Sequence, residues 1–436
     1  MKEIRDKVRH FLKDNGMYHE DIDMEKFRDV FSKQMHSGLA GSDSSLAMIP
    51  TYIEVGRDIP TDERVIVLDA GGTNFRVAAV HFDGSGKPII ANFVQKPMPG
   101  IDKEVGKEEF FATIAEYMAG VMDAGDKIGF CFSYPTEILP SKDGRLIRFC
   151  KEVKAKEVEG ELIGRNLTAA IKAAGIKNDK RTVILNDTVA TLLAGTSVFG
   201  KRTFSSYIGF ILGTGSNCCY IESNRNITKK NDLDPNREQI INVESGSFDK
   251  APRGTIDLLL DGSTLDPGKY TFEKMFSGAY FGPLCLKALQ QAAKQGLFSK
   301  VVSNDLLGTK QLQTIDVNSF LQHPQGDNPI ALSCAKGNNR DRVGVWYLLD
   351  DLIERAALVV AAMLSTVVID TGKGSDPCEP VCITAEGTTF YELKSLKEKI
   401  VSYLRNFLQN KHGRFFEIVH VEDATLIGAA IAGLTN

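Results

Sequence analysis

A cysteine framework is the first thing this sequence lacks. Its eight cysteines, at 131, 150, 218, 219, 285, 334, 378 and 382, include no Cys-x-x-Cys pair. The opening stretch MKEIRDKVRHFLKDNGM is charged throughout and reads as no secretory signal, so reduced thiols in a cytoplasmic protein are expected. On that reading the sequons at Asn166 and Asn226 are chance matches. A basic excess is missing too. The net charge of −4 and the pI near 6.1 argue against a general nucleic-acid binder. An anionic ligand would need positive potential gathered at one site.

No apolar run reaches membrane length. The longest candidate, AALVVAAMLSTVVI at 356–369, has 14 residues, against the roughly 20 that a span needs. Asp350, Asp351, Glu354 and Arg355 just before it complete an ordinary helical charge pattern, so a buried core helix is expected and no membrane span. Two common phosphate signatures are incomplete. DGSGKP at 83–88 has no glycine five positions before Gly86, and Pro88 stands where Ser or Thr is required. GTGSNC has two glycines of the dinucleotide fingerprint and lacks the third.

What is present is an α/β pattern. The 436 residues suit two or three domains at about 100–200 residues each. After a helical and then loop-like stretch at 1–60, strands alternate with helices. VIVLDA and FRVAAVHF read as a hairpin, KIGFCFSYP as a buried strand, and TVILNDTVATLLAG as a strand running into a helix. YIGFILGTGSNCCYIES reads as two more strands around a polar turn, followed by QIINVESGSF. A helical region covers about 270–369; the chain closes with PVCITAEG, the helix YELKSLKEKIVSYLRNFLQN, the strand FFEIVHVED and the helix TLIGAAIAGLT.

Two hairpin loops echo each other. LDAGGTN (68–74) and LGTGSN (212–217) each place Leu, a glycine turn and Asn between apolar strands, which suggests a duplicated unit. Gly71, Gly72, Gly213 and Gly215 let backbone amides approach a ligand closely, and clustered amides bind anions. Thr73, Asn74 and Thr214 add side-chain donors, and Arg76 adds a guanidinium suited to phosphate oxygens. Asp69 would repel a bare phosphate, so its presence calls for a cation, most simply Mg²⁺ held partly through water. Two tight hairpins with Asp69 as a turn former are the structural alternative.

Further polar residues sit at strand ends. Asn186 and Asp187 lie where an apolar strand meets an apolar helix, the edge at which α/β proteins place their sites. Asp187 either caps that helix or accepts a substrate hydroxyl proton while Asn186 orients the substrate. Ser133 in CFSYP, Lys151 in RFCKEVKAKEVEG and Glu244 in INVESGSF follow the same logic. Taken singly, each is more often a surface or structural residue than a ligand contact.

Seven motifs in one order resemble the hexokinases, the eukaryotic-type ATP:hexose 6-phosphotransferases. They are LDAGGTNFRV, FSYP, RFCKEVKAKEVEG, LNDTVATLLA, GFILGTGSN, INVESGSFD and YTFEKMFSGAYFG. The resemblance implies a two-lobed actin-like ATPase fold, ribonuclease H-like and duplicated, with a cleft between a small domain (62–188 plus 423–436) and a large one (1–61 plus 189–422). It implies ATP and Mg²⁺ as nucleotide and metal. Asp69, Gly71, Gly72, Thr73, Asn74 and Arg76 match the first phosphate loop, and Gly213, Thr214 and Gly215 the second. Gly387 and Thr388 match the adenosine segment, and Thr425 matches a nucleotide-binding position on the helix that closes over the nucleotide. Ser133, Cys150, Lys151, Asn186, Asp187, Asn217 and Glu244 match sugar-contact positions, with Asp187 as base and Lys151 and Arg76 beside the transferring phosphate.

Three departures stand out: Cys150 replaces a usual Thr, Pro283 is read as replacing a sugar-contact Glu, and Glu386 and Thr388 replace Asp and Ser. The first two put the identity of the sugar in question. Glucose is the first expectation, with mannose and fructose beside it, in a monomer or homodimer. The rival readings are a non-catalytic sugar sensor and a sugar-independent ATPase.

Overall fold

The computed structural model describes residues 2–149, 153–176, 180–197 and 202–436. In chain order its strands are β1 (Ile49–Pro50), β2 (Val65–Gly71), β3 (Asn74–Phe82), β4 (Pro88–Pro97), β5 (Lys127–Phe132), β6 (Thr136–Ile138), β7 (Gly144–Leu146) and β8 (Arg181–Leu185). They continue with β9 (Ser206–Leu212), β10 (Ser216–Ser223), β11 (Glu238–Asn242), β12 (Val381–Glu386) and β13 (Phe416–Val419). One sheet runs β4-β3-β2-β5-β8; the other runs β1-β11-β10-β9-β12-β13; β6 and β7 form a separate ribbon.

The two sheets share one topology. Along β4-β3-β2-β5-β8 the pairings are antiparallel, antiparallel, parallel, parallel. Along β11-β10-β9-β12-β13 they follow the same sequence, and β1 adds an antiparallel edge. The echo between the two glycine loops is therefore a true structural repeat. Each loop joins the equivalent antiparallel pair: β2 to β3, and β9 to β10.

The apolar strand runs are explained by burial on both faces. In β2, Ile66, Leu68 and Ala70 enter one core, while Val65 and Val67 enter another, as a period of two requires. Between the sheets lie two helices, Asp187–Ser197 and Ala424–Thr435. The first packs on β9 and the second on β2 and β5, and they pack on each other. Small residues permit this close approach. A Cβ on Gly428 would lie 1.8 Å from the Ala190 carbonyl oxygen, and one on Gly129 would lie 1.8 Å from that of Ala429. This crossing sets the distance between the sheets and so the width of the cleft above it.

The apolar run 356–369 belongs to a helix, Asn339–Asp370, buried from Ala356 to Val368 inside the larger core. That helix is long and apolar enough to cross a membrane by length and composition, and its burial within the fold accounts for its apolarity. Arg355 at the head of this run is also buried, because its guanidinium meets Asp257 in two bonds of 2.5 and 3.0 Å. The single helix expected over YELKSLKEKIVSYLRNFLQN is instead divided. Thr388–Glu392 ends before Ser395, whose left-handed backbone (φ +62°) restarts the chain as Leu396–Leu404, and a π-helical turn follows at Arg405–Lys411. DGSGKP forms the turn between β3 and β4, with Asp83 Oδ1 accepting from the Ser85 and Lys87 amides.

Candidate active site

A cleft of about 740 Å³ opens between the sheets. On the five-stranded side it is lined by residues that follow strand ends: Ser133 after β5, and Asn186 and Asp187 after β8. On the six-stranded side it is lined by Thr214, Gly215 and Asn217 of the β9–β10 hairpin, by Glu244 after β11, and by Glu273. The fold thus gathers five of the expected sugar-contact residues around one cavity. Cys150 and Lys151 lie outside the described residues.

Asp187 opens its helix, and its Oδ1 accepts from the Thr188 amide at 2.8 Å. Asn186 Oδ1 takes the same amide at 2.9 Å and the Thr188 hydroxyl at 2.5 Å. The capping reading is therefore partly right, but two residues share the role, and both still line the cleft.

Glu244 is held in a left-handed conformation (φ +57°). Its Oε1 accepts from Asn242 Nδ2 at 2.8 Å and Asn217 Nδ2 at 3.3 Å. Asn217 is fixed in turn, since its Oδ1 accepts from the Cys218 and Ser245 amides at 2.8 and 3.1 Å. Burial raises the Glu244 carboxyl above its ordinary range, the asparagine bonds oppose that rise, and the charge on Asp187 adds to it. Carboxylates from the two sides of the cleft are thus close enough to influence each other.

Glu273 was missed by sequence reasoning. It lies in the YTFEKM segment, and its Oε2 accepts from the Ser216 amide at 2.8 Å. A Cβ on Gly215 would come within 2.8 Å of that oxygen, so the glycine makes room for the carboxylate. Pro283, by contrast, sits inside the helix Gly278–Lys294 and is absent from the cleft lining. The carboxylate that a Glu would offer at 283 is absent, and Glu273 is a separate carboxylate of the same cleft wall. In the same helix Gly282 N–H donates to Thr314 Oγ1 (2.9 Å) and that hydroxyl donates to the Gly278 carbonyl (2.6 Å).

The two glycine hairpins flank this cavity. In the first, Gly71 pairs with Asn74 and Asp69 pairs with Arg76 across β2 and β3; Gly72 takes φ +70°, a glycine conformation. Arg76 Nη1 lies 3.5 Å from Asp69 Oδ2, and Thr425 Oγ1 donates to the same oxygen at 2.9 Å. The Gly72 carbonyl accepts from the Tyr134 hydroxyl and that of Thr73 from the Met98 amide. In the second hairpin, the Gly213 carbonyl accepts from the Gly278 amide and Thr389 Oγ1, and that of Thr214 from the Ala279 amide. The carbonyls of both loops are thereby engaged by the protein. The amides of Gly72, Thr73, Thr214 and Gly215 have no partner among the described residues, and such amides are suited to an anion.

Gly387 (φ +113°) lies against the second hairpin, where a Cβ would meet the Leu212 carbonyl oxygen at 2.3 Å. Thr388 is exposed, and it is Thr389 that bonds to the loop. Glu386 meets His420 Nδ1 at 3.1 Å. Among the described residues no group of three or more His, Cys, Asp or Glu forms a metal cluster. Asp69 by itself fits a hard cation held mainly by water and phosphate oxygens.

A duplicated sheet, paired helices between the copies and two glycine hairpins facing one cleft define the actin-like ATPase fold. Family models described as Hexokinase match residues 8–197 and 207–435. The chain belongs to the hexokinase family. It is 28% identical to Hexokinase-1 of Schizosaccharomyces pombe, covering 94% of this chain and 86% of that protein. It is 29% identical to Hexokinase-1 of Spinacia oleracea, over 95% and 87%. A hexokinase from Schistosoma mansoni solved in complex with glucose shares the fold, with a TM-score of 0.75 at 23% identity over 100% and 99% of the two chains. A further hexokinase structure gives 0.78 at 21% over 99% and 98%.

Proposed function

We propose that this protein transfers the γ-phosphoryl group of Mg·ATP to the 6-hydroxyl of a hexose, with glucose as the first substrate to test. The observation that carries the reading is the convergence of Ser133, Asn186, Asp187, Asn217, Glu244 and Glu273 on one cleft, flanked by two hairpins with amides that have no partner among the described residues. Family membership supports sugar phosphorylation, and the glucose in the Schistosoma mansoni relative supports the substrate class. The small domain is proposed as 62–188 plus 423–436, and the rest of the chain as the large one.

In this reading Asp187 receives the proton of the sugar hydroxyl as its oxygen attacks the γ-phosphorus and the bond to the ADP leaving oxygen breaks. Asn217, Glu244 and Glu273 hold the other hydroxyls, so the reacting oxygen is aimed at the phosphate. Arg76, Thr73, Thr214 and the loop amides steady charge on the transferring group; positioning and charge supply most of the acceleration in phosphoryl transfer. Bound Mg²⁺ would neutralise phosphate charge beside Asp69. Lys151 is assigned to the same group from its motif.

The test is ADP release with Mg·ATP against glucose, mannose, fructose and N-acetylglucosamine, with a no-sugar control and Asp187→Ala alongside. Sugar-dependent release lost in the variant, with glucose binding retained, supports the reading. Near-normal turnover in Asp187→Ala rejects the base assignment. Release indifferent to sugar favours a plain ATPase. No ADP release with any sugar, while glucose still binds, favours the non-catalytic sensor, to which Pro283 gives some room.

A further inference from the structure

Arg148 and Tyr270 face each other across the cleft and both line it. Each stands on a packed, hydrogen-bonded base. Arg148 is flanked by Ile147, whose amide donates to the Pro135 carbonyl at 2.9 Å, and by Phe149, whose amide donates to Glu159 Oε1 at 3.0 Å. The Phe149 ring packs on Tyr134 and Phe110 at centroid distances of 5.0 and 5.6 Å. On the opposite side, Tyr270 precedes Thr271, whose hydroxyl donates to the Phe248 carbonyl, and Phe272, whose ring meets Phe248 and Phe276. The Tyr270 carbonyl accepts from the Lys274 amide at 3.1 Å.

Between these bases the Arg148 guanidinium donates to the Tyr270 hydroxyl, and its carbon lies 5.5 Å from the ring centroid. Tyr270 is held at φ +52°, a region that a bulky aromatic residue rarely adopts. An exposed ion pair between flexible chains would count for little. Here both side chains start from hydrogen-bonded backbone, and that of Tyr270 is held in a costly conformation.

We propose that Arg148 and Tyr270 form a clasp across the cleft, drawing the side that carries Asp187 towards the side that carries Glu244 and Glu273. Tyr270 is three residues from Glu273, so the clasp also positions that carboxylate. Arg148 is a positioning residue that acts through the opposite wall. Its kinetic consequence rests on the sugar-kinase reading; its structural consequence does not.

The experiment uses the full chain and the variants Arg148→Ala, Arg148→Lys and Tyr270→Phe. Solution X-ray scattering with and without saturating glucose reports cleft opening. Steady-state kinetics with Mg·ATP separates KM from kcat, and glucose binding is titrated by calorimetry. Arg148→Ala should expand the glucose-free particle, and its KM for glucose should rise about tenfold, the loss expected for one charge-assisted hydrogen bond. Its kcat should change much less. Arg148→Lys should recover part of the loss, and Tyr270→Phe should fall between. Wild-type scattering and wild-type glucose affinity in both Arg148→Ala and Tyr270→Phe would overturn the clasp. If the wild-type protein shows no sugar-dependent ADP release, the kinase reading fails separately, and scattering and calorimetry still decide the clasp.

Discussion

Thr425 Oγ1 donates to Asp69 Oδ2 at 2.9 Å, joining the last helix to the first glycine hairpin across 356 positions of sequence. Arg76 meets the same oxygen at 3.5 Å, so the carboxylate is held from two directions. Thr425 was expected to face nucleotide; the structure places its hydroxyl on Asp69. Thr425→Val should therefore lower kcat/KM for Mg·ATP by roughly tenfold, as for one hydrogen bond to a charged group. Thr425→Ser should restore it. Equal Mg²⁺ and ATP dependence in the valine variant and the wild type would show that the hydroxyl does not orient Asp69.

Glu244 predicts a pH-dependent stability. Its carboxyl is raised above the ordinary 4.5, mainly by burial. A raised folded value means that this group favours folding below about pH 4.5 and that the benefit is lost as pH climbs through the higher folded value. Glu244→Gln, fixed in the neutral form, should match the wild type near pH 4 and melt higher than it at pH 8, while binding hexose more weakly. Melting curves at the two pH values check this, and a constant difference in Tm would reject it.

Lys274 is buried, and its ammonium donates to Asp261 Oδ1 (2.7 Å), Thr264 Oγ1 (2.8 Å) and the Asp266 carbonyl (2.9 Å). These bonds tie down the cleft wall immediately beside Glu273. Lys274→Ala should cost about 3–5 kcal/mol, because Asp261 is left buried without its closest partner, and should raise the KM for hexose. Urea unfolding gives the first quantity. Adding Asp261→Asn should recover much of the stability, and an unchanged single variant would contradict the structure.

Asp351 lies far from the cleft, on the long buried helix. Burial, then the charge of Asp350, pushes its carboxyl up to about 6 against the pull of Arg9, Arg5 and Lys399. Its Oδ2 is buried with no hydrogen bond among the described residues. The sign is that of Glu244: the contribution to folding is present below the ordinary carboxylate value and lost as pH rises through about 6. Asp351→Asn should thus stabilise the protein at pH 8 by on the order of 1 kcal/mol and make little difference at about pH 3. Chemical denaturation at both pH values decides it.

Much of the site was legible because its signals are local. Glycine-rich turns between apolar strands mark the hairpins whatever surrounds them, and Asn186–Asp187 announces itself at a strand-to-helix junction. Glu273 was not legible in the same way. Among Lys269, Lys274 and several aromatic residues it reads as one more charge on a helical surface, until the backbone brings it under the Ser216 amide. At Pro283 the motif position was visible, while its place inside the helix Gly278–Lys294 was not. The break at Ser395 depends on one left-handed residue in a sequence with good helical periodicity.

Residue order alone determines the repeated hairpins, the alternation of strand and helix, and the supply of carboxylates and amides that a phosphoryl-transfer site needs. These follow from backbone propensity and from hydrophobic spacing over a few residues. Only the tertiary structure decides which of them meet. The pairs Asp69–Thr425 and Arg148–Tyr270 join distant segments, and Glu273–Ser216 forms within the six-stranded side, while the close crossing of the helices Asp187–Ser197 and Ala424–Thr435 at glycine sets the separation of the two sheets. That separation is a property of packing between distant segments, and no short stretch of sequence encodes it.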